Sequence, residues 1–181
     1  DVYKRQQDPG QRNDISQQKP DVAKRLQAAI DRFKKNVMKG YGQDDRPFII
    51  AHPDYKYTQI PARDGVAHGA IERSNRWPNC SFFRNWVNVD DAITWDAEVG
   101  ATGKYRVEIE YACPEEDVGS TIQLSFNNSK LEGKVTEAHD PPLRGGENDR
   151  HPRGESYVKD FKTMELGVID LKKGKGTLTL S

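Results

Sequence analysis

The chain has 181 residues, with 28 basic against 28 acidic and a formal net charge of +0. That length suits one domain, or one domain with an appendage, and the balanced charge argues against a nucleic-acid protein, which normally carries a basic excess. Apolar residues make up 34%, below the usual globular share, and the longest apolar run, Phe48–Ala51, is far short of a bilayer span.

The first segment, "DVYKRQ" (Asp1–Gln6), reads like translated adapter sequence and is set apart as a candidate non-native stretch. Pro9-Gly10 marks a turn, and Asp14 or Ser16 is placed to cap a first turn. Pro20 and Asp21 then open a helix predicted over 20–39, since proline suits the first helical turn and an acid complements the helix dipole. Val22, Leu26, Ala29, Ile30, Phe33 and Val37 recur on one face. Gly40 and Gly42 end the helix. Between residues 19 and 39 there are seven basic and two acidic residues. A basic helix could grip a polyanion, but the pattern reads first as a solvated outer face. A lone helix of this length is marginal in water, so the apolar stripe needs a partner: the following domain, or a body upstream.

Tyr41–Pro47, "YGQDDRP", has linker character, and after it the pattern changes to strands. "FIIA" and "YTQIPA" are short extended candidates, and "SFFRNWVNV" is aromatic-rich. In "AITWDAEV", Ile93, Trp95, Ala97 and Val99 fall on one side. "KYRVEIEYA" sets Tyr105, Val107, Ile109 and Tyr111 against Arg106, Glu108 and Glu110, which is period two over a whole strand. "STIQLSF" alternates likewise, "NNS" turns, and "KLEGKV" continues. Residues 137–156 read as a long loop, followed by strands near 158–161, 164–171 and 176–180. Regularly spaced short strands predict a mostly β fold: a jelly-roll or galactose-binding-like β-sandwich preceded by one amphipathic α-helix. The expected division is 1–44 and 45–181. Because the chain stops inside the alternating "TLTLS", the sandwich is expected to be truncated at that end.

The order "DPGQRNDI…KPDVAKRLQAAIDRF" resembles the C-terminal tail of the sulfatase family, where a "DP-G-E-x-x-N-L"-like turn precedes a "HPEVVARL"-type helix. Asp8, Pro9, Gly10, Asn13, Asp14, Pro20, Val22 and Leu26 match that layout, Ile15 takes the usual leucine place, and Lys19 stands before the proline. The stretch from Ile60 to Val135 resembles an accessory β-domain found after the catalytic region of some bacterial sulfatases of the N-acetylgalactosamine-6-sulfatase type. Gly103–Tyr111 and Leu171–Leu180 are similar to two strands of galactose-binding-like carbohydrate-binding modules. The resemblance implies a periplasmic or secreted parent enzyme hydrolysing sulfate esters of glycans, with calcium in its catalytic core. It also implies two partners for this chain, the N-terminal catalytic domain and sulfated polysaccharide, with neither nucleic acid nor membrane among them. It places no catalytic residue and no cofactor in this segment, and leaves two alternatives open: an independent carbohydrate-binding module, or a spacer without a ligand.

The sulfatase signature C-x-P-x-R is only imitated by "CSFFR" (Cys80–Arg84), where Phe82 replaces the proline. His52, His68, His139 and His151 lack metal-ligand spacing. Asp90-Asp91 could hold calcium, but reads first as a solvent-exposed turn. The two cysteines, Cys80 and Cys113, could pair or remain free thiols. Sugar binding calls for an exposed aromatic platform, and sulfate for guanidinium or ammonium groups. Arg63, His68, Arg73, Arg76 and Trp77 lie within fifteen residues of one another and form the candidate binding cluster. Trp86 and Trp95, in aromatic or alternating runs, are assigned to the core.

Overall fold

Strict alternation builds the centre of the fold. In the computed structural model, which describes residues 6–42, 44–77 and 80–181, Ile93, Trp95, Ala97 and Val99 all point into one core. The strands are β1 (Phe48–Ile50), β2 (Val66–His68), β3 (Glu72–Arg73), β4 (Phe83–Arg84), β5 (Ala92–Val99), β6 (Gly103–Tyr111), β7 (Thr121–Phe126), β8 (Ser129–Lys134), β9 (Lys162–Leu171) and β10 (Gly174–Leu180). They form a β-sandwich preceded by one helix, α1 (Pro20–Val37), with a 3-10 turn at Met38–Gly40. All but Gln6 of the segment set apart above lies outside the described residues.

The chain divides into two compact units between Asp45 and Arg46. In the first, Pro20 occupies the opening turn of α1 and Lys34 and Lys35 the last. Lys19 precedes the helix without a side-chain cap; the Asp14 carboxylate instead accepts the Ser16 N–H at 2.8 Å, closing a local turn upstream. No residue of α1 is buried.

In the second unit the larger sheet runs β1-β5-β10-β7-β8, and β2 also pairs with β5. β1 lies parallel to the second half of β5 and β2 antiparallel to its first half. The last strand, β10, is held on both edges, by β5 and by β7. β6 and β9 form the second sheet. Ile169 and Leu171 from that sheet join Ile93, Trp95, Val99, Phe126 and Leu178 from the first in one buried cluster. The indole N–H of Trp95 donates to the Pro61 carbonyl at 3.4 Å, giving the buried ring's polar atom a partner.

A bulge sets the inward face of β9. Val107 pairs with Gly167 and Glu108 with Glu165, so Leu166 is the extra residue. Before it Met164 and Leu166 face in; after it Ile169 and Leu171 do. One inserted residue therefore changes the parity of the strand, so that Ile169 and Leu171 reach the central cluster. Leu166 meets β8 at Gly133, where a Cβ would come within 2.5 Å of a Leu166 methyl and 3.2 Å of its carbonyl oxygen. Glycine is needed there for close approach of the two sheets.

Three sequence expectations need revision. "YTQIPA" forms no strand and leads into a 3-10 turn at Ala62–Asp64; Pro61 has no N–H for a ladder. Near 158–161 only Val158 pairs, in a single bridge with Arg144. Trp86 is not core but 37% exposed. Only Phe83–Arg84 of its segment is strand, with Phe83 inward and Arg84 outward, so Trp86 falls on the outward parity, and Asn85 turns left-handed (φ 62°) and ends the extended run before it. Among the described residues no helix is long and apolar enough to cross a membrane.

Candidate functional site

The loops leading into β5 are organised by one carboxylate. Asp91 is 1% exposed. It accepts the backbone N–H of Ala70 at 2.8 Å, of Val87 at 3.0 Å and of Asn88 at 2.9 Å, and the Asn88 side-chain amide at 3.3 and 3.4 Å. The Ala70 N–H, helped by those of Asn88 and Val87, outweighs burial and holds the carboxyl at about 2, below its ordinary 3.8. The exposed turn expected at Asp90-Asp91 is thus half correct: Asp90 faces solvent, while Asp91 staples 70 to 87–91. Both its oxygens are taken by N–H donors, which leaves poor access for a cation.

Acid should act through this group. Its value is lower in the folded chain than in the unfolded one, so ionised Asp91 favours folding. The contribution is complete above about pH 4 and is lost as pH falls towards 2. Melting curves recorded from pH 5 to pH 2 should fall steeply for the native chain and less steeply for Asp91→Asn, which starts lower. Parallel curves for the two would remove Asp91 from the acid transition.

The candidate binding residues form three separate arrangements. Arg73, on β3, donates from Nη2 to the Arg63 carbonyl at 2.6 Å and lies 5.8 Å from the Phe83 ring centre. Its guanidinium is thereby partly committed to holding the 3-10 turn. Arg63 itself reaches Asp64, Nε to Oδ1, at 3.8 Å. His68 shares a 2.8 Å hydrogen bond with Thr94 Oγ1 across the β2–β5 pair. The third arrangement points outward: the Arg76 guanidinium stacks 4.3 Å from the Trp77 ring, and Trp77 is 43% exposed. The Trp77 N–H is anchored on Asn75 Oδ1 at 2.7 Å. Pro78 and Asn79, next to it, lie outside the described residues.

The signature-like "CSFFR" is engaged otherwise. Arg84 pairs with Glu72 at 3.0 Å across the β3–β4 ladder. Cys80 is an exposed free thiol and Cys113 a buried one; burial raises the Cys113 thiol above its ordinary value, and nearby Asp117, Asp140 and Glu116 add to the shift. Among the described residues no three His, Cys, Asp or Glu side chains gather as a metal site. The long polar loop is tied down by charge: Arg144 to Asp160 at 2.7 Å, Arg153 to Asp149 at 2.7 Å, Lys162 to Glu137 at 2.5 Å, and Lys159 to Asp140.

A groove of about 670 Å³ opens at one end of the sandwich. It lies among the β5–β6, β7–β8 and β9–β10 turns, and Lys104, Asn127, Asn128, Lys172 and Lys173 line it above Phe126 and Leu171. The "NNS" turn is legible in the sequence, but its meeting with the β5–β6 and β9–β10 turns is not. The local signal was the density of lysine in "LKKGK" (Leu171–Lys175).

Comparison with protein-family models, with curated proteins and with solved structures finds no match.

Proposed function

We propose that this chain is the C-terminal part of a sulfatase hydrolysing sulfate esters of glycans, its β-sandwich serving as an accessory or substrate-access module without catalysis of its own. The observation that carries this reading is the bare stripe of α1. Val22, Leu26, Ile30, Phe33 and Val37 are 39–68% exposed along one face. Contiguous apolar surface of this kind marks an interaction site. In the sulfatase layout, the equivalent helix face packs on the small C-terminal sheet of the catalytic region, which is the partner proposed here. The turn ahead of the helix supports the same layout: Asp8 accepts the Arg12 N–H at 3.1 Å and the Asn13 N–H at 2.9 Å, fixing the "DPGQRN" bend. On this reading calcium belongs to the catalytic region, and the parent enzyme is periplasmic or secreted. Determining the reading frame upstream of the Asp8 codon tests it. A C-x-P-x-R or S-x-P-x-R signature is expected there, and an unrelated domain overturns the assignment.

The outward Arg76–Trp77 pair favours a second reading, a carbohydrate-binding module that targets polysaccharide. A stacked indole and guanidinium offer a sugar ring an apolar face and a hydrogen-bond fork. On a glycan array the intact chain should then bind, and Trp77→Ala should weaken binding by about tenfold or more. Equal binding by the variant removes Trp77 from any such site.

A further inference from the structure

We propose that the groove at the end of the sandwich binds the anionic groups, sulfate or carboxylate, of an acidic polysaccharide. This deepens the glycan reading above and rests on it, but uses residues remote in sequence from Trp77.

Charge is the first observation. Among the described residues Lys104, Lys172 and Lys173 form no ion pair, whereas Lys159, Lys162 and Lys175 each meet a carboxylate. The groove lining contains one acid, Asp170, against these three lysines. In a chain with a formal net charge of +0, that is a local concentration of positive charge, and a concave wall focuses its field.

Rigidity is the second. The three turns are bonded to one another: the Lys173 N–H donates to Thr102 Oγ1 at 2.9 Å, the Asn127 amide donates to the Lys175 carbonyl at 3.4 Å, and the Ser129 hydroxyl donates to the Asp170 carbonyl. Both sheets contribute, through β6 and β9 on one side and β7 and β8 on the other. A ligand there would meet walls already in place, which lowers the ordering cost of binding.

Shape and polarity are the third. The volume lies in the range of small-ligand sites. Buried Phe126 and Leu171 back the groove, and the exposed Asn128 amide is available for hydroxyls. Ammonium groups act as flexible point charges rather than planar forks, so the site should accept either anion and weaken with salt.

Affinity gel electrophoresis of the intact chain in dextran sulfate, polygalacturonate and neutral dextran tests the assignment. Retardation is expected with at least one acidic polymer and not with neutral dextran, and the comparison of the two acids assigns sulfate or carboxylate. The Lys104→Gln/Lys172→Gln/Lys173→Gln variant should bind about tenfold more weakly. A matched loss of charge on the helix, Lys24→Gln/Lys34→Gln/Lys35→Gln, should leave the affinity unchanged. The proposal is overturned if the groove variant binds like the native chain, if the helix variant loses as much, or if neither acidic polymer is bound. None of these outcomes bears on the upstream reading frame, so the groove can fail while the sulfatase assignment stands.

Discussion

Gly69→Ala lowers the melting temperature of the β-sandwich unit by roughly 5–10 °C. Gly69 sits at φ 75°, and a Cβ placed there would come within 2.0 Å of Asp91 Oδ1, 3.0 Å of its Cγ and 3.3 Å of its Cα. The first contact could be relieved only by moving the carboxylate, and the last only by moving the backbone. Moving the carboxylate breaks its 2.8 Å bond to the Ala70 N–H and loosens the bonds that hold Val87 and Asn88. A left-handed φ adds strain for any residue with a side chain. Asp91→Ala should give a similar loss, because four N–H groups then face an apolar methyl. Combining the two changes should cost less than their sum, since each removes the same staple. Thermal unfolding followed by circular dichroism measures all three. If Gly69→Ala melts within a degree of the native chain, the loop does not depend on this contact.

Phe126→Ala is expected to cost about 3–5 kcal/mol, the usual penalty for deleting a buried aromatic ring. Phe126 is 2% exposed, at the end of β7, where its backbone pairs with Leu178 of β10. Its ring belongs to the cluster that includes Ile169 and Leu171 of the second sheet. Removing it leaves a cavity between the layers and beneath the end groove. Urea denaturation should show a lower midpoint with an unchanged slope. A loss below about 1 kcal/mol would mean that the sheets close over the gap, contrary to the close packing expected of an interior.

Some of the molecule was legible because its signal is local. The Lys104–Tyr111 alternation comes from the pleat, and each residue's side follows from its neighbour's. The helix stripe likewise follows from the 3.6-residue period, and α1 ends within three residues of the expected position. Trp86 was misassigned for an instructive reason. Its aromatic neighbours imitate a strand, but Asn85 adopts a left-handed conformation and its amide bonds to the Ala70 carbonyl at 2.9 Å. That partner is distant in sequence. Of the binding cluster, sequence gave the residue types of Arg63, His68, Arg73, Arg76 and Trp77 but not their arrangement. Arg73 turns towards the Arg63 carbonyl and Arg76 towards Trp77.

For α1, β5, β6 and β7 the sequence alone determined the element and its apolar face, because backbone periodicity repeats over a few residues. Tertiary structure decided the rest: that Asp91 is buried and saturated by N–H donors, that β9 changes parity at Leu166, and that Lys104, Lys172 and Lys173 converge on one groove. Burial and hydrogen-bond pairing depend on residues far apart in the chain. They are fixed only when two sheets close over a common core and their turns meet at one end.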